Sequence, residues 1–415
     1  MRKGTGRSRE TSRTGRSLAG LDGLNFFLAD AQGGLGPFLG IYLLNKPGWN
    51  AATIGLVMTL GVTATLIAQT PAGALTDRTH HKRTLIVGAT ALLSTGAVLI
   101  TITPRFPVVA TAQLMIGVAG AVFAPAIAAI ALGLVGPAGY TYRTGRMQAF
   151  NHAGNILGAA AAGLTGYLVS LRASFWLTSI LSIFVIASTL AINRRLVDHN
   201  LARGLPSQDT SADTPSGFAV LLRSRPLLAL GVSVLLFHLA NGAMLPIAGQ
   251  KLATHHASQG ALFQAALIIV AQTVMIPMAL LVAHRADRWG RKIIFLAGFG
   301  VLPLRGVLFA LATNPTHTVA IQVLDGVGAG IFGALFPIMV ADLTRGTGRY
   351  NLALGAATTM WGIGAALSTT LAGAVIVLGG YNLAFLTLAG IAVLALGLFA
   401  LAVPETSPTE TVLSR

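Results

Sequence analysis

The sequence predicts an all-α integral membrane protein with twelve transmembrane helices in two pseudo-symmetric halves of six helices each. Composition, apolar patterning and an internal repeat lead to this fold class. Of the 415 residues, 54% are hydrophobic and only 10% are charged, whereas soluble domains carry about 25% charged residues. Most of the surface must therefore face lipid. The 49 glycines suit membrane helices whose backbones approach closely.

Twelve apolar runs follow one another along the chain, and each is long enough to cross about 30 Å of hydrocarbon as a helix. The first six spans are predicted at residues 21–44, 51–75, 84–103, 107–135, 147–169 and 173–192. The second six are predicted at residues 227–250, 259–283, 293–312, 318–343, 352–378 and 381–402. Residues 193–226 are polar and rich in Ser, Asp and Pro, which predicts a linker between two halves, 21–192 and 227–402.

The two halves repeat one another at an offset near 209 residues. In the first and seventh spans, AQGGLGPFLG at 31–40 is echoed by ANGAMLPIAG at 240–249. In the fourth and tenth spans, QLMIGVAGAVF at 113–123 is echoed by QVLDGVGAGIF at 322–332. An offset kept over separated regions predicts two halves related by an axis along the membrane normal.

The distribution of basic residues predicts the orientation in the membrane. The formal net charge is +16, and all but five of the 28 Lys and Arg residues fall in segments on one side of the spans. The five exceptions are Lys46, Arg105, Arg172, Lys251 and Arg305. The positive-inside rule then predicts a cytoplasmic basic tail (1–20), linker and C-terminal tail (403–415) in the inner (plasma) membrane. The basic charge is explained by anionic lipid, so no nucleic-acid partner is expected.

Two charged segments interrupt the apolar pattern, PAGALTDRTHHKRTL at 71–85 and LVAHRADRWGRKI at 281–293. They resemble the loop signature of the major facilitator superfamily, roughly G-x-x-x-D-R-x-G-R-K/R, and the chain is identified as a member of that family. The resemblance implies the major facilitator fold, secondary transport of a small molecule by alternating access, and loops that gate the two access states. The implied gating residues are Gly73, Asp77, Arg78, Asp287, Arg288 and Arg291.

A second signature concerns the direction of transport. GNILGAAAAG at 154–163 resembles the antiporter motif of drug-efflux members, which implies proton-coupled efflux. The competing interpretation is generic packing of small residues. Gln113 stands where many proton-coupled exporters carry an Arg, and its neutral amide cannot supply the charge of the usual carboxylate–arginine relay. Proton-coupled uptake or facilitated diffusion of a small metabolite therefore remains an alternative.

Polar side chains within the spans are candidates for the transport pathway, because each is costly in a bilayer. Asp30, near the middle of the first span, is the predicted proton or cationic-substrate site. The other candidate cavity residues are Gln32, Asn151, His152, Asn155, His238, Asn241, Gln272 and Trp361. For each of them, a role in helix packing competes with a role in the pathway.

Arg305 and Asp325 are predicted to form an ion pair inside the membrane. Each lies about seven residues from the outer end of its span, in the ninth and tenth spans, which a short loop joins. An unpaired Arg at that depth would cost a few kcal/mol. The pair is either a structural connection between the two helices or a group that releases Asp325 during the cycle.

No enzymatic activity or cofactor is expected from the sequence. Glu occurs only at positions 10, 405 and 410, and the chain has no Cys, so thiolate catalysis and zinc–thiolate sites are excluded. No metalloprotease, hydrolase or phosphate-loop motif is present. The expected partners are a small-molecule substrate, protons and the lipid bilayer. The expected energy source is the proton gradient, and the expected state is a monomer.

Overall fold

The computed structural model describes residues 4–33, 35–203, 224–344 and 350–406, and these residues are helical almost throughout, without a strand. The all-α prediction is therefore confirmed. The helices of the first part of the chain are α1 (Gly4–Gly33), α2 (Leu35–Leu44), α3 (Ala51–Arg78), α4 (Lys82–Ile102), α5 (Phe106–Leu168) and α6 (Leu171–Ala191). Those of the second part are α7 (Arg225–Asn241), α8 (Met244–His255), α9 (Gly260–Trp289), α10 (Arg291–Leu311), α11 (Pro315–Leu343) and α12 (Tyr350–Ala402).

The predicted spans map onto these helices, although not one to one. The two longest helices each hold two spans: α5 changes direction at Gly136, which has a φ of 66°, and α12 does so at Gly379 and Gly380. Conversely, α1 with α2 and α7 with α8 each cover one span. Among the described residues, nine stretches are long and apolar enough to cross a membrane, and one of them, 353–402, contains that α12 bend. The arrangement is consistent with the predicted twelve.

The chain forms two compact units. Unit 1 comprises the described residues of Met1–Leu39 and Thr63–Ala212, and unit 2 those of Gly40–Val62 and Asp213–Arg415. Residues 40–62, which the sequence places in the first half, thus group with the second. The reason is local packing against α12, where an added Cβ at Gly55 would overlap the carbonyl oxygen of Thr369 and the Thr59 hydroxyl lies 2.6 Å from the Ala366 carbonyl oxygen.

Unit 1 is built around α5, which packs against α1 and α4, while α6 packs against both α1 and α4. Small residues allow the closest approach. A Cβ added at Gly154 of α5 would overlap the carbonyl oxygen of Phe26 in α1. The close packing of α5 on α1 is therefore sufficient to explain the glycine at position 154.

Unit 2 is built around α7 and α12, which run along one another, with α10 and α11 packed on α12 and on each other. Its core is rich in phenylalanine. The ring of Phe299 stacks on Phe399 at 4.7 Å, and Phe295 meets both. Gly364 of α12 approaches α7 as Gly154 approaches α1, because a Cβ there would overlap the carbonyl oxygen of Leu235.

Candidate functional site

A buried polar cluster connects α7, α10 and α11 in unit 2. Arg305 Nη1 of α10 donates to Asp325 Oδ1 of α11 at 2.6 Å and to Asn241 Oδ1 of α7 at 2.7 Å. Arg305 Nη2 donates to Gln322 Oε1 at 3.1 Å. Gln322 Nε2 in turn donates to the other Asp325 oxygen at 2.6 Å. The structure thus brings together the two charges that the sequence pairs, and adds the Gln322 amide, which bonds to both, and the Asn241 amide, which bonds to Arg305.

The cluster is shielded from solvent on most sides. The side chain of Arg305 is 1% exposed and that of Asp325 is 15% exposed. Beside them lies a cavity of about 10 Å³, lined among others by Asn241, Arg305 and Asp325, which is close to the minimum volume for one water molecule. Asp325 is therefore a largely enclosed carboxylate that accepts from the Arg305 guanidinium and the Gln322 amide and lies beside a small space.

An aromatic assembly joins α7, α11 and α12. The ring of His238 in α7 stacks on the indole of Trp361 in α12, with centroids 4.4 Å apart and planes inclined by 29°, and Phe332 meets both rings edge to face. His238 Nδ1 lies 2.9 Å from the carbonyl oxygen of Val234, which fixes the ring. His238 is buried, whereas Trp361 is 37% exposed. The indole thus presents an accessible aromatic surface, while the buried His238 ring packs against it.

The remaining predicted cavity residues are dispersed. In α5, Asn155 Nδ2 donates to the carbonyl and side-chain oxygens of Asn151, both at 3.1 Å, and His152 is half-buried beside them in sequence. Gln272 is half-buried in α9 of unit 2. Asp30 and Gln32 lie in the last turn of α1, but their side chains are outside the part of the chain that the structure describes.

The predicted gating segments differ between the two units. In the first, Gly73 lies in α3 and Arg78, its last residue, is exposed. In the second, Arg288 is exposed, while Arg291 forms an ion pair with Asp342 of α11. The side chains of Asp77 and Asp287 are outside the described part.

A carboxylate from the C-terminal tail covers the start of α10. Glu405 Oε1 accepts from the backbone N–H of Arg291 at 3.0 Å, and Oε2 accepts from that of Lys292 at 3.0 Å. Gly290 makes the sharp entry possible, with a φ of 90°, and an added Cβ there would lie 2.8 Å from Glu405 Oε2. The tail is therefore part of the packed structure up to this residue.

Sequence reasoning missed a second charged cluster, at one end of unit 1. Asp22 of α1 accepts from Arg143 Nη2 at 2.5 Å and from Arg146 Nε at 2.9 Å, both from α5. The side chains of Asp22 and Arg143 are 7% and 5% exposed. Burial lowers the pKa of Arg143, and the Asp22 carboxylate partly offsets this, so the guanidinium stays charged. The sequence did contain a signal for this cluster, the acidic Asp22 at the start of the first predicted span. A hydropathy pattern does not distinguish such a residue from the ordinary polar end of a membrane helix.

Comparison with known proteins agrees with this architecture. A profile of the Major Facilitator Superfamily matches residues 21–302 and 230–414. Two relatives from Mycobacterium tuberculosis strains, each named as an uncharacterized MFS-type transporter (Rv2456c and MT2531), are 46% identical over 396 residues, which is 95% of this chain and 95% of theirs.

Solved structures give the same fold. Two crystal structures of the nucleoside transporter NupG, one of them a mutant, superpose with TM-scores of 0.78 and 0.75. They cover 92% of this chain and 98% of their own, at 17% and 18% sequence identity. At that identity the likeness concerns the fold alone.

Proposed function

The chain belongs to the Major Facilitator Superfamily of secondary transporters, and we propose that it exports a small molecule in exchange for protons, with Asp325 as a proton-coupling carboxylate. Multi-pass membrane integration and small-molecule transport follow from the family. The coupling proposal rests on one observation, the buried contact of Arg305 with Asp325, Asn241 and Gln322.

The contact set links a protonation event to the packing of three helices. With Asp325 ionised, its charge and that of Arg305 neutralise one another inside a low-dielectric region, where attraction is strong. A proton on Asp325 removes that counter-charge and leaves Arg305 held by amides only. An uncompensated buried guanidinium is costly. The contact between α10 and α11 would then weaken, while Arg305 keeps its bond to Asn241 of α7, so the proton changes how the three helices are joined.

The coupling experiment uses the purified protein in proteoliposomes with a pH-sensitive dye inside and a panel of amphipathic, cationic and heteroaromatic substrates. Asp325→Asn keeps size and removes the titrating group, so we expect it to abolish proton-driven uphill transport while downhill exchange persists. Asp198→Asn is the matched control, because Asp198 is exposed and lies outside the helices. Uphill transport by Asp325→Asn at the rate of this control would refute the proposal.

Asp30 is a second candidate for coupling, proposed on its position in the first span. Asp30→Asn belongs in the same assay. Loss of uphill transport in this variant, with Asp325→Asn unaffected, would move the proton site from α11 to α1.

The proposed export direction rests on the glycine pattern at 154–163. Gly154 also has a packing reason, its contact with Phe26 of α1. Direction is measured directly by loading substrate inside or outside and imposing a pH gradient of either sign. Substrate extrusion against its gradient when protons flow inward relative to the cell supports export, and accumulation supports uptake.

Uptake or facilitated diffusion of a planar-ring metabolite is the second candidate. The exposed face of Trp361, stacked on His238, would hold an aromatic ring, and the fold is shared with a protein named as a nucleoside transporter. Nucleosides therefore belong in the panel. If Trp361→Phe retains transport that Trp361→Ala loses and no proton flux accompanies it, this candidate replaces the first.

The proposed cellular setting is the plasma membrane, with a monomer whose termini and linker are cytoplasmic. The excess of basic residues in those segments supports this orientation. A tag in the linker should be inaccessible from outside intact cells, and labelling there from the outside would reverse the topology.

A further inference from the structure

A cavity of about 380 Å³ lies in unit 1, and its lining includes none of the residues proposed for the transport pathway. It forms where α4 begins, α6 ends and the following segment, residues 194–199, folds back. Six of its lining residues are basic or histidine, and none of the described lining residues is acidic. These six are His80, His81, Lys82, Arg83, Arg194 and His199.

The walls are held by specific contacts. The rings of His80 and His199 meet edge to face with centroids 4.5 Å apart, which joins the loop before α4 to the segment after α6. Arg83 Nη2 donates to the carbonyl oxygen of Leu190 at the end of α6, at 2.8 Å. The Nε of the same guanidinium is buried and makes no hydrogen bond. Contacts of His80, His199 and Arg83 thus hold part of the basic lining in place around the space.

The beginning of α4 adds a second source of positive potential. The first N–H groups of a helix have no partner within the helix and attract anions. His81, the residue before α4, provides no side-chain hydrogen bond to them. The corresponding helix in the second half is α10, because Arg291 lies 209 residues after Lys82, and there the Glu405 carboxylate accepts from the first N–H groups. The start of α10 therefore binds a carboxylate of the chain itself, while Lys82, Arg83 and Thr84 at the start of α4 line the basic cavity.

We propose that this cavity binds a phosphate-bearing anion. A phosphate monoester has several acceptor oxygens and up to two negative charges, so it can accept from several cationic side chains at once. Val87, Ile130 and Val197 supply an apolar part of the lining, which suits a phosphate joined to a neutral or apolar body. A phospholipid headgroup and a soluble organic phosphate share this chemistry.

The test measures binding by the full-length protein, so it does not depend on transport or on its direction. The protein is placed in neutral phosphatidylcholine nanodiscs. One arm adds phosphatidic acid to the nanodisc lipid, and the other titrates sn-glycerol 3-phosphate into the solution. Arg194→Gln removes one exposed cation of the cavity, so folding should be retained. Arg195→Gln is the matched control, since it removes the same charge one residue away and does not line the cavity.

Losing one charge-assisted hydrogen bond should weaken binding by Arg194→Gln about tenfold, and Arg195→Gln should change it by less than about twofold. Binding in the phosphatidic acid arm alone identifies a lipid headgroup site, and binding of glycerol 3-phosphate alone identifies a site for a soluble phosphate. Binding of both assigns the site to phosphate itself. Absence of binding in both arms, or equal weakening by the two variants, would overturn the proposal, because equal weakening indicates diffuse surface attraction.

Discussion

Gly154 in unit 1 and Gly364 in unit 2 occupy corresponding positions, 210 residues apart, and each lies against a carbonyl oxygen of an earlier helix. The two oxygens belong to Phe26 and Leu235, which are themselves 209 residues apart. The backbone contact between the first and fifth predicted spans is thus repeated between the seventh and eleventh. Packing of small residues is the part of the repeat that both units keep.

The polar chemistry differs at another pair of corresponding positions. In unit 2, Arg305 and Asp325 form the buried ion pair. Subtracting the offset of 209 gives Gly96 and Ile116 in unit 1, where an added Cβ at Gly96 would lie 2.8 Å from the Ile116 side chain. The same two helices therefore meet through an apolar contact in one unit and through an ion pair in the other. Since the apolar version packs well, the ion pair is not required by the fold, which favours a functional reason for it.

The largest expected effect comes from breaking the ion pair on one side only. Arg305→Met leaves Asp325 without its counter-charge, and we expect the free energy of unfolding to fall by about 3–5 kcal/mol. Adding Asp325→Leu makes the site apolar, as in unit 1, and should recover at least half of that loss while uphill transport stays absent. Thermal unfolding in detergent, followed by tryptophan fluorescence, measures the stability of the single and the double variant. If the double variant is as unstable as the single one, the comparison with Gly96 and Ile116 fails.

Hydropathy and the repeat predicted most of the fold, because a bilayer demands long apolar helices. The Arg305–Asp325 contact was predictable for the same reason, since each charge is conspicuous within a span. The grouping of residues 40–62 with the second half was not, because the fit of Gly55 against α12 leaves no trace in an apolar pattern. The stacking of His238 on Trp361 likewise depends on two helices far apart in sequence.

The Asp22 cluster is a second buried ion pair, located at one end of unit 1. Breaking it should lower the free energy of unfolding by less than breaking the Arg305–Asp325 pair does. Arg143→Gln removes the buried partner but leaves Arg146 to neutralise Asp22, so we expect a loss of about 2–3 kcal/mol. Arg146→Gln should change stability little, because its side chain is 47% exposed. Unfolding of the two variants under the same conditions gives the comparison. Equal effects would show that burial does not distinguish the two arginines.

The shared glycine contacts predict matched losses in the two units. Gly154→Ala and Gly364→Ala each place a methyl group on a carbonyl oxygen, so the helices must separate, and we expect a cost of about 1–2 kcal/mol for each. Gly145→Ala is the control, since nothing lies within 4 Å of an added Cβ there and alanine favours the helix. If only one of the two variants lost stability, the two units would share the geometry of this contact but not its contribution to the free energy of unfolding.

The smallest expected effect concerns the N-terminal ends of α10 and α4, which occupy corresponding places in the two halves. Glu405→Ala removes the carboxylate that accepts from the N–H groups of Arg291 and Lys292, and a lost cap of this kind costs about 1 kcal/mol. Hydrogen exchange at those two amides should become faster, while the amides of Lys82 and Arg83 in α4, which lack a side-chain cap from His81, should keep their rates. Glu405→Gln retains one acceptor oxygen and should give an intermediate rate at α10. Unchanged exchange at α10 would show that the tail contact does not protect the helix start. Faster exchange in both helices would show that the tail acts on the whole protein instead of on one helix end.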